Sequence, residues 1–370
     1  MKKDYIFFFQ IFTILIFKSN CQQLDGYFKI YNGNNLIEKS TNNNNLICAL
    51  KCLKREDCKM ALVKEANCTI LNEILTVDQN LENFVIYEKL TKCSKTNSSL
   101  KLKMTLNGQS LGISSLVMLE NEDLASGAFD GTIKIWNTNN GSEKMTLNGF
   151  TGAVLSLAVL KNGDLASAAY DGSIKIWNTL NGSIKLALGG HSNPIFALAV
   201  LKNGDLASGS IDYTIKVWNT NDGSEKMTLI GHSDAVLALA VLKNGDLASG
   251  SNDGRIIIWN TNDGSVKMNI SGHSGSIFSL AVLKNGDLAS GSIDYTIKVW
   301  NKNDGSEKIT LTAHSDWVST LLVLKNGDLV SGSNDGTFKI WNTDSGCEKM
   351  TLSGHSNLIC SFAELKNGNL

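Results

Sequence analysis

From about residue 101 onward, short apolar runs alternate with polar turns at a regular spacing. Residues 191–229 show the unit. Ile195–Leu201 is a brief, almost continuous apolar run of the length expected for a buried strand. Asn203-Gly204 follows, a strong two-residue hairpin signal. Asp205–Ser210 then reads as a second strand, and a tight turn at Asp212-Tyr213 leads into TIKVWN, where Ile215 and Val217 alternate with Lys216 and Trp218. A further turn at Asp222-Gly223 precedes SEKMTL. The pattern predicts four antiparallel strands joined by three hairpin connections.

This unit recurs. Trp136, Trp177, Trp218, Trp259, Trp300 and Trp341 stand 41 residues apart, and the five histidines of the chain, His191, His232, His273, His314 and His355, keep the same step. The string LKNGDLASGS returns almost verbatim at Leu201–Ser210 and Leu242–Ser251. A period near 40 belongs to propeller blades. One four-stranded sheet cannot bury both faces, so successive sheets must stack around an axis. With Gly-His at 190–191, 231–232, 272–273 and 354–355, Asp-Gly or Asp-Tyr in the turn, and Trp-Asn where the family often has Trp-Asp, the region of about 270 residues resembles the WD-repeat family. The resemblance implies an all-β propeller of six complete repeats with a seventh begun.

It also implies a hydrogen-bonded chain of His, Ser, Asp and Trp inside each blade. The sets are His191, Ser208, Asp212 and Trp218; His232, Ser249, Asp253 and Trp259; His273, Ser290, Asp294 and Trp300; and His314, Ser331, Asp335 and Trp341. Ser208 and Ser210 share a strand face, so either serine could take part. A buried indole N–H and imidazole need partners, because leaving one unpaired costs about 1–3 kcal/mol. The set superficially resembles a Ser-His-Asp triad, but a triad occurs once, and here the constellation recurs with constant spacing and no other histidine stands outside it. No zinc-type His/Cys spacing and no phosphate-cradling glycine loop appears in the repeats. The expectation is therefore a protein that is not an enzyme and takes no cofactor.

Departures mark individual blades. Gln109 and Phe150 stand where histidine is expected, and Ala313 replaces glycine before His314, so these blades are expected to lack or weaken the chain. Lys101–Leu106 matches the fourth strand of a repeat with no inner strands before it; in the family such a strand completes the last blade. The seventh repeat begins at His355 and stops inside its second strand, which reads as a truncated chain whose ring cannot close fully and exposes an edge. The parent ring is expected to have seven blades, with eight or more left open. Cys347 and Cys360 read as buried free thiols, with a functional pair as the alternative.

Because the repeats are so alike, their differences point to function. The residue before the turn aspartate varies as Phe129, Tyr170, Ile211, Asn252, Ile293 and Asn334; after the histidine lie Asn193, Asp234, Asp316 and the off-pattern Trp317. In the family both positions lie on one face around the central channel, and apolar residues ringed by polar ones suit a protein-binding surface. The alternative is that Phe129, Tyr170 and Trp317 pack between blades.

The N-terminal part reads differently. Lys2 and Lys3 precede an apolar run from Tyr5 to Phe17, a signal-peptide pattern too short for the roughly 20 residues that span a bilayer. The expected organisation is a signal peptide at 1–20, a cysteine-rich module at 21–93, a linker at 94–100 and the propeller at 101–370. No membrane span is expected after cleavage; an uncleaved signal anchor or a mispredicted leader on a cytosolic protein are the alternatives. Cys48, Cys52, Cys58 and Cys68, flanked by Cys21 and Cys93, read as a disulfide framework if exported, or otherwise as a zinc site or free thiols. The stretch CALKCLKREDC with KMALV and CTIL resembles an apple (PAN) module, a small α+β domain. That resemblance implies Cys48–Cys68, Cys52–Cys58 and Cys21–Cys93 bridges, each adding about 2–4 kcal/mol, and a module that binds proteins or carbohydrate. Asn67, Asn97, Asn140, Asn181 and Asn269 are glycosylation acceptors compatible with export.

Net charge is −1, from 34 basic and 35 acidic residues, so nucleic acid has little electrostatic support as a partner. The expected function is an extracellular scaffold binding proteins or peptides, with a carbohydrate-binding adhesion protein as the alternative.

Overall fold

A computed structural model describes residues 29–32, 35–38, 83–89, 100–312, 314–353 and 358–365. The first two segments form a separate small hairpin of β1 (Lys29–Asn32) and β2 (Asn35–Glu38). The cysteine-rich segment's six cysteines, and Asn67 and Asn97, lie outside the described residues.

The repeats form six four-stranded antiparallel sheets, each with its strands in chain order. Blade 1 consists of strands 113–118, 124–128, 132–136 and 143–148; blades 2 to 6 occupy 154–189, 195–230, 236–271, 277–311 and 318–353. First strands of consecutive blades pack against one another around the axis. The second strand of every blade is buried at all five positions, because it has a strand on each side and a blade against each face. This crowding explains the glycine of LASGS: a Cβ on Gly209 would lie 2.7 Å from Val236 of the next blade.

The meeting of blades 6 and 1 departs from expectation. Residues 358–365, at the seventh repeat's start, fill a place between them. Ile359 stands against Gly332 as Val236 stands against Gly209, a Cβ there coming within 2.8 Å of it. Leu116 N–H donates to Ser361 Oγ at 3.0 Å, just as Leu157 N–H of blade 2 donates to Ser115 Oγ of blade 1 at 3.1 Å. Leu365 is buried with Leu106, Leu124 and Trp136. The seventh position of the ring therefore holds a first strand's worth of chain.

The other side of that position is built from earlier residues. Lys101–Leu106 was expected to stand without an inner neighbour, but β4 (Leu100–Asn107) pairs antiparallel with β3 (Asn83–Lys89), across the expected 94–100 linker. The register is that of a third and fourth strand. In blade 1, Ile133 faces Leu147, Ile135 faces Met145 and Trp136 faces Glu143, with an irregularity between Ile135 and Trp136. In the pair, Phe84 faces Leu106, Ile86 faces Met104 and Tyr87 faces Leu102, with the irregularity between Ile86 and Tyr87. FVIY thus occupies the place of IKIW, a likeness hidden by different residue types and by proximity to the cysteines.

Candidate binding face

Each blade places two kinds of loop on one face of the ring: the turn between its second and third strands and the loop entering its first strand. The hydrogen-bonded chain ties these together. In blade 3, Trp218 Nε1–H donates to Ser208 Oγ (2.8 Å), Ser208 Oγ lies 2.7 Å from His191 Nε2, and His191 Nδ1 lies 2.8 Å from Asp212 Oδ2. Because the carboxylate can only accept, His191 carries its proton on Nδ1, and Nε2 accepts from the serine. Asp212 also accepts Ser192 N–H and Thr214 N–H, which fixes entry loop and turn. Ser210, the alternative serine, instead donates to Pro194 O at 2.9 Å and accepts Asp212 N–H at 3.1 Å.

The same arrangement links His232, Ser249, Asp253 and Trp259 (His–Ser 2.7 Å, His–Asp 3.0 Å) and His273, Ser290, Asp294 and Trp300 (2.7 and 2.8 Å). It also links His314, Ser331, Asp335 and Trp341 at 2.7 and 3.1 Å, so the alanine before His314 does not weaken that blade's chain. Gln109 does weaken the chain in blade 1, keeping the serine link but losing the one to the turn aspartate: its Nε2–H donates to Thr132 O and Oγ1 at 3.1 Å each, while Asp130 accepts Ser110 N–H and Thr132 N–H. The Gln109 Oε1 accepts Ser126 Oγ–H at 2.7 Å, as the histidine Nε2 does elsewhere, and Trp136 Nε1–H donates to Ser126 at 2.8 Å. The planar amide thus supplies the acceptor of an imidazole in the right place, which residue class alone does not reveal. Blade 2 does lose the link: Phe150 contacts Trp177 edge-on with centroids 6.2 Å apart, and Lys175 Nζ sits 4.2 Å above the Phe150 ring.

Electrostatics follow from this pairing. Burial lowers the pKa of His232 and His273 more than Asp253 and Asp294 raise it, so both imidazoles are held neutral. Burial pushes Asp253 up, but the Ser233 and Arg255 amides and His232 outweigh it and hold the carboxyl at about 2. Asp212 and Asp335 are lowered for the same reason, with burial opposing and their histidines dominating the opposition. Such groups organise loops; among the described residues no three His, Cys, Asp or Glu side chains group as a metal site.

The variable positions spread over this face. Phe129, Tyr170, Ile211, Ile293 and Asn334 are half-buried, and Asn193 and Asn252 are exposed. Phe129 lies against Gly112 and Tyr170 against Gly152, so each packs on its entry loop. Asn252 Nδ2–H donates to Asp234 (2.8 Å) and Asn334 Nδ2–H to Asp316 (2.7 Å), so these polar residues brace turn to loop. Trp317 of blade 6 stacks on Phe278 of blade 5, 6.0 Å away and 15° from parallel, and is half-buried.

Two residues on this face escaped the sequence reading. Tyr213 and Tyr295 are 42% and 45% exposed and have φ of 72° and 70°. The equivalent positions in blades 1, 2, 4 and 6 are Gly131, Gly172, Gly254 and Gly336, all with positive φ. The signal was present: Asp-Tyr replaces Asp-Gly in a turn that demands a left-handed residue. A non-glycine there costs about 1–2 kcal/mol.

A family model described as "WD domain, G-beta repeat" matches six segments, 100–137, 141–178, 182–219, 223–260, 264–301 and 305–342, more than half the chain. The chain is a WD-repeat protein. Each matched segment begins with a fourth strand and ends just past a marker tryptophan, so the WD-repeat frame straddles the blade boundary. The first segment starts at β4, in keeping with that strand's place at the ring's seam. A search of curated proteins found no match for the chain.

Of the acceptor asparagines, Asn140, Asn181 and Asn269 are exposed. Asn140 Oδ1 accepts Ser142 N–H at 3.0 Å, the bond that Asp222 makes to Ser224 at 2.9 Å, so that turn has a structural use for asparagine. Burial pushes the Cys360 thiol up to about 11.

Proposed function

We propose that this WD-repeat protein is a non-enzymatic scaffold that holds a protein or peptide on the face of the second-to-third-strand turns. The observation that carries the reading is the pair Tyr213 and Tyr295. Each keeps an exposed ring on a left-handed backbone where four sister blades carry glycine. Strain retained at an exposed aromatic fits a binding contact, since tyrosine supplies large contact area at small entropy cost. Between them in ring order stands blade 4, whose Arg255 replaces the threonine of blades 3 and 5; its guanidinium donates to Asp253 at 2.8 Å.

A peptide library panned against the full chain tests this. Selected peptides should bind Y213G/Y295G about tenfold more weakly or worse, because aromatic anchors dominate such contacts. Equal binding by a folded double variant would refute it.

The same reading includes export. Its support is the Lys2-Lys3 start with its short apolar run, and the six clustered cysteines of an apple-like segment, through which carbohydrate is a second ligand class. Mass spectrometry of unreduced protein from its native source should show Cys48 and Cys68 oxidised; free thiols there would point to a cytosolic scaffold.

A further inference from the structure

Lysines recur at three positions of the repeat, and they differ in what they meet. The fourth-strand lysines pair with buried aspartates, as Lys226 with Asp205 (2.8 Å) and Lys267 with Asp246 (2.7 Å). The third-strand lysines of blades 3, 5 and 6 pair with glutamate, as Lys216 with Glu225 (2.8 Å). The third kind stands in the hairpin between first and second strands: Lys161, Lys202, Lys243, Lys284 and Lys325, in blades 2 to 6. All five are exposed. Among the described residues no carboxylate lies within ion-pair distance of Lys161, Lys202, Lys243 or Lys284.

Each of these side chains leans onto the next blade. Lys161 Nζ donates to Lys202 O, Lys202 to Lys243 O and Lys243 to Lys284 O; Lys284 lies over Gly327, and Lys325 Nζ donates to Leu365 O at 3.0 Å. A carbonyl takes one of an ammonium's three hydrogens and leaves the charge whole. The hairpins adjoin the first strands, which pack around the axis, so the ammonium groups of Lys161, Lys202, Lys243 and Lys284 form an arc around it, on the face opposite the tyrosines. Lys302 joins them, its Nζ donating to Asn285 O at 2.8 Å. At the seam the charge changes sign: Glu120 takes the lysine's place in blade 1, and Glu364 accepts Lys325 N–H at 2.9 Å.

We infer that this lysine collar binds a compact polyanion bearing clustered phosphate or sulfate groups. Adjacent unneutralised cations repel one another, and a multivalent anion placed on the axis meets several of them at once. Lysine is a point charge suited to phosphate and sulfate oxygens. An extended acidic peptide fits less well. It would have to cross the outer third-to-fourth-strand turns on the same face, where Asp222, Asp263 and Asp304 are exposed.

The test is calorimetric titration of the full chain with inositol hexakisphosphate, tripolyphosphate, sucrose octasulfate and a hexaglutamate peptide, at low and raised salt. The phosphates or the octasulfate should bind, and binding should weaken with salt. K202Q/K243Q/K284Q should lose about tenfold or more in affinity, while K202R/K243R/K284R retains it. E120K, which extends the arc into blade 1, should bind more tightly. Phosphate-over-sulfate preference names the natural group. Absence of binding, unchanged affinity in the folded glutamine variant, no gain in E120K, or tightest binding by hexaglutamate would each overturn the inference.

Discussion

Replacing Ser249 with alanine removes one hydroxyl that serves two buried groups. Trp259 Nε1–H donates to it at 2.8 Å and His232 Nε2 lies 2.7 Å from it, while the serine itself has no exposure. Alanine fits the space, so the cost is that of two unsatisfied groups at about 1–3 kcal/mol each, about 2–6 kcal/mol in all. Blade 2 supplies an internal control. There Phe150 stands in place of histidine, and Ser167 accepts only Trp177 Nε1–H (2.7 Å) while donating weakly to Lys175 O at 3.3 Å. S167A should therefore cost about 1–3 kcal/mol, roughly half as much. Urea unfolding followed by tryptophan fluorescence measures both, and the thermal midpoint should fall by about 1–2 °C per kcal/mol in a protein of this size. If S167A proved as damaging as S249A, the histidine link would contribute nothing and the chain of hydrogen bonds would reduce to a serine–indole pair.

H232Q should lose less stability than H232A, because Gln109 in blade 1 already keeps the serine contact though not the one to the turn aspartate; loss equal to that of H232A, read by the same unfolding curves, would contradict it. Stability should fall on acidification below about 6.5: the lowered His232 and His273 stay neutral in the fold but take protons when unfolded, and H232Q should flatten the slope of melting temperature against pH. A second loss should follow as pH drops from the ordinary aspartate value of 3.8 through about 2, where Asp253 gains its proton in the folded state, and D253N should reduce it. Y213G, even as it weakens binding, should raise stability by up to about 1 kcal/mol, since strain relief exceeds the added chain entropy; thermal denaturation reads the sign. Peptide-resolved alkylation of the native protein near neutral pH should label Cys360 far more slowly than in the urea-unfolded chain, since burial raises its thiol to about 11.

The repeat period made the blades legible in the sequence, because 41-residue recurrence of Trp and His admits few architectures. The tetrads were legible for the same reason, although only the geometry separates Ser208 from Ser210. What stayed hidden depended on shape and not on residue class. Gln109 preserves the serine link of the chain, which its identity conceals. Tyr213 looks unremarkable until the turn is seen to require positive φ. Asn83–Lys89 shares no marker residue with a third strand and reveals itself only through register with β4.

Near-identity of the blades has a consequence for how the ring assembles. The face that blade 3 offers to blade 4 is almost the face that blade 5 offers to blade 6, each with a LASGS strand against the following valine. A chain collapsing from the unfolded state can thus pair non-neighbouring modules at little energetic penalty, and such shuffled intermediates would compete with correct assembly. The unique contacts then act as address labels. The Phe278–Trp317 stack can form at one boundary alone, and the Phe150–Trp177 contact at one blade alone. Blanking these labels, as in F278L/W317A, should slow refolding through misassembled species more than it lowers equilibrium stability.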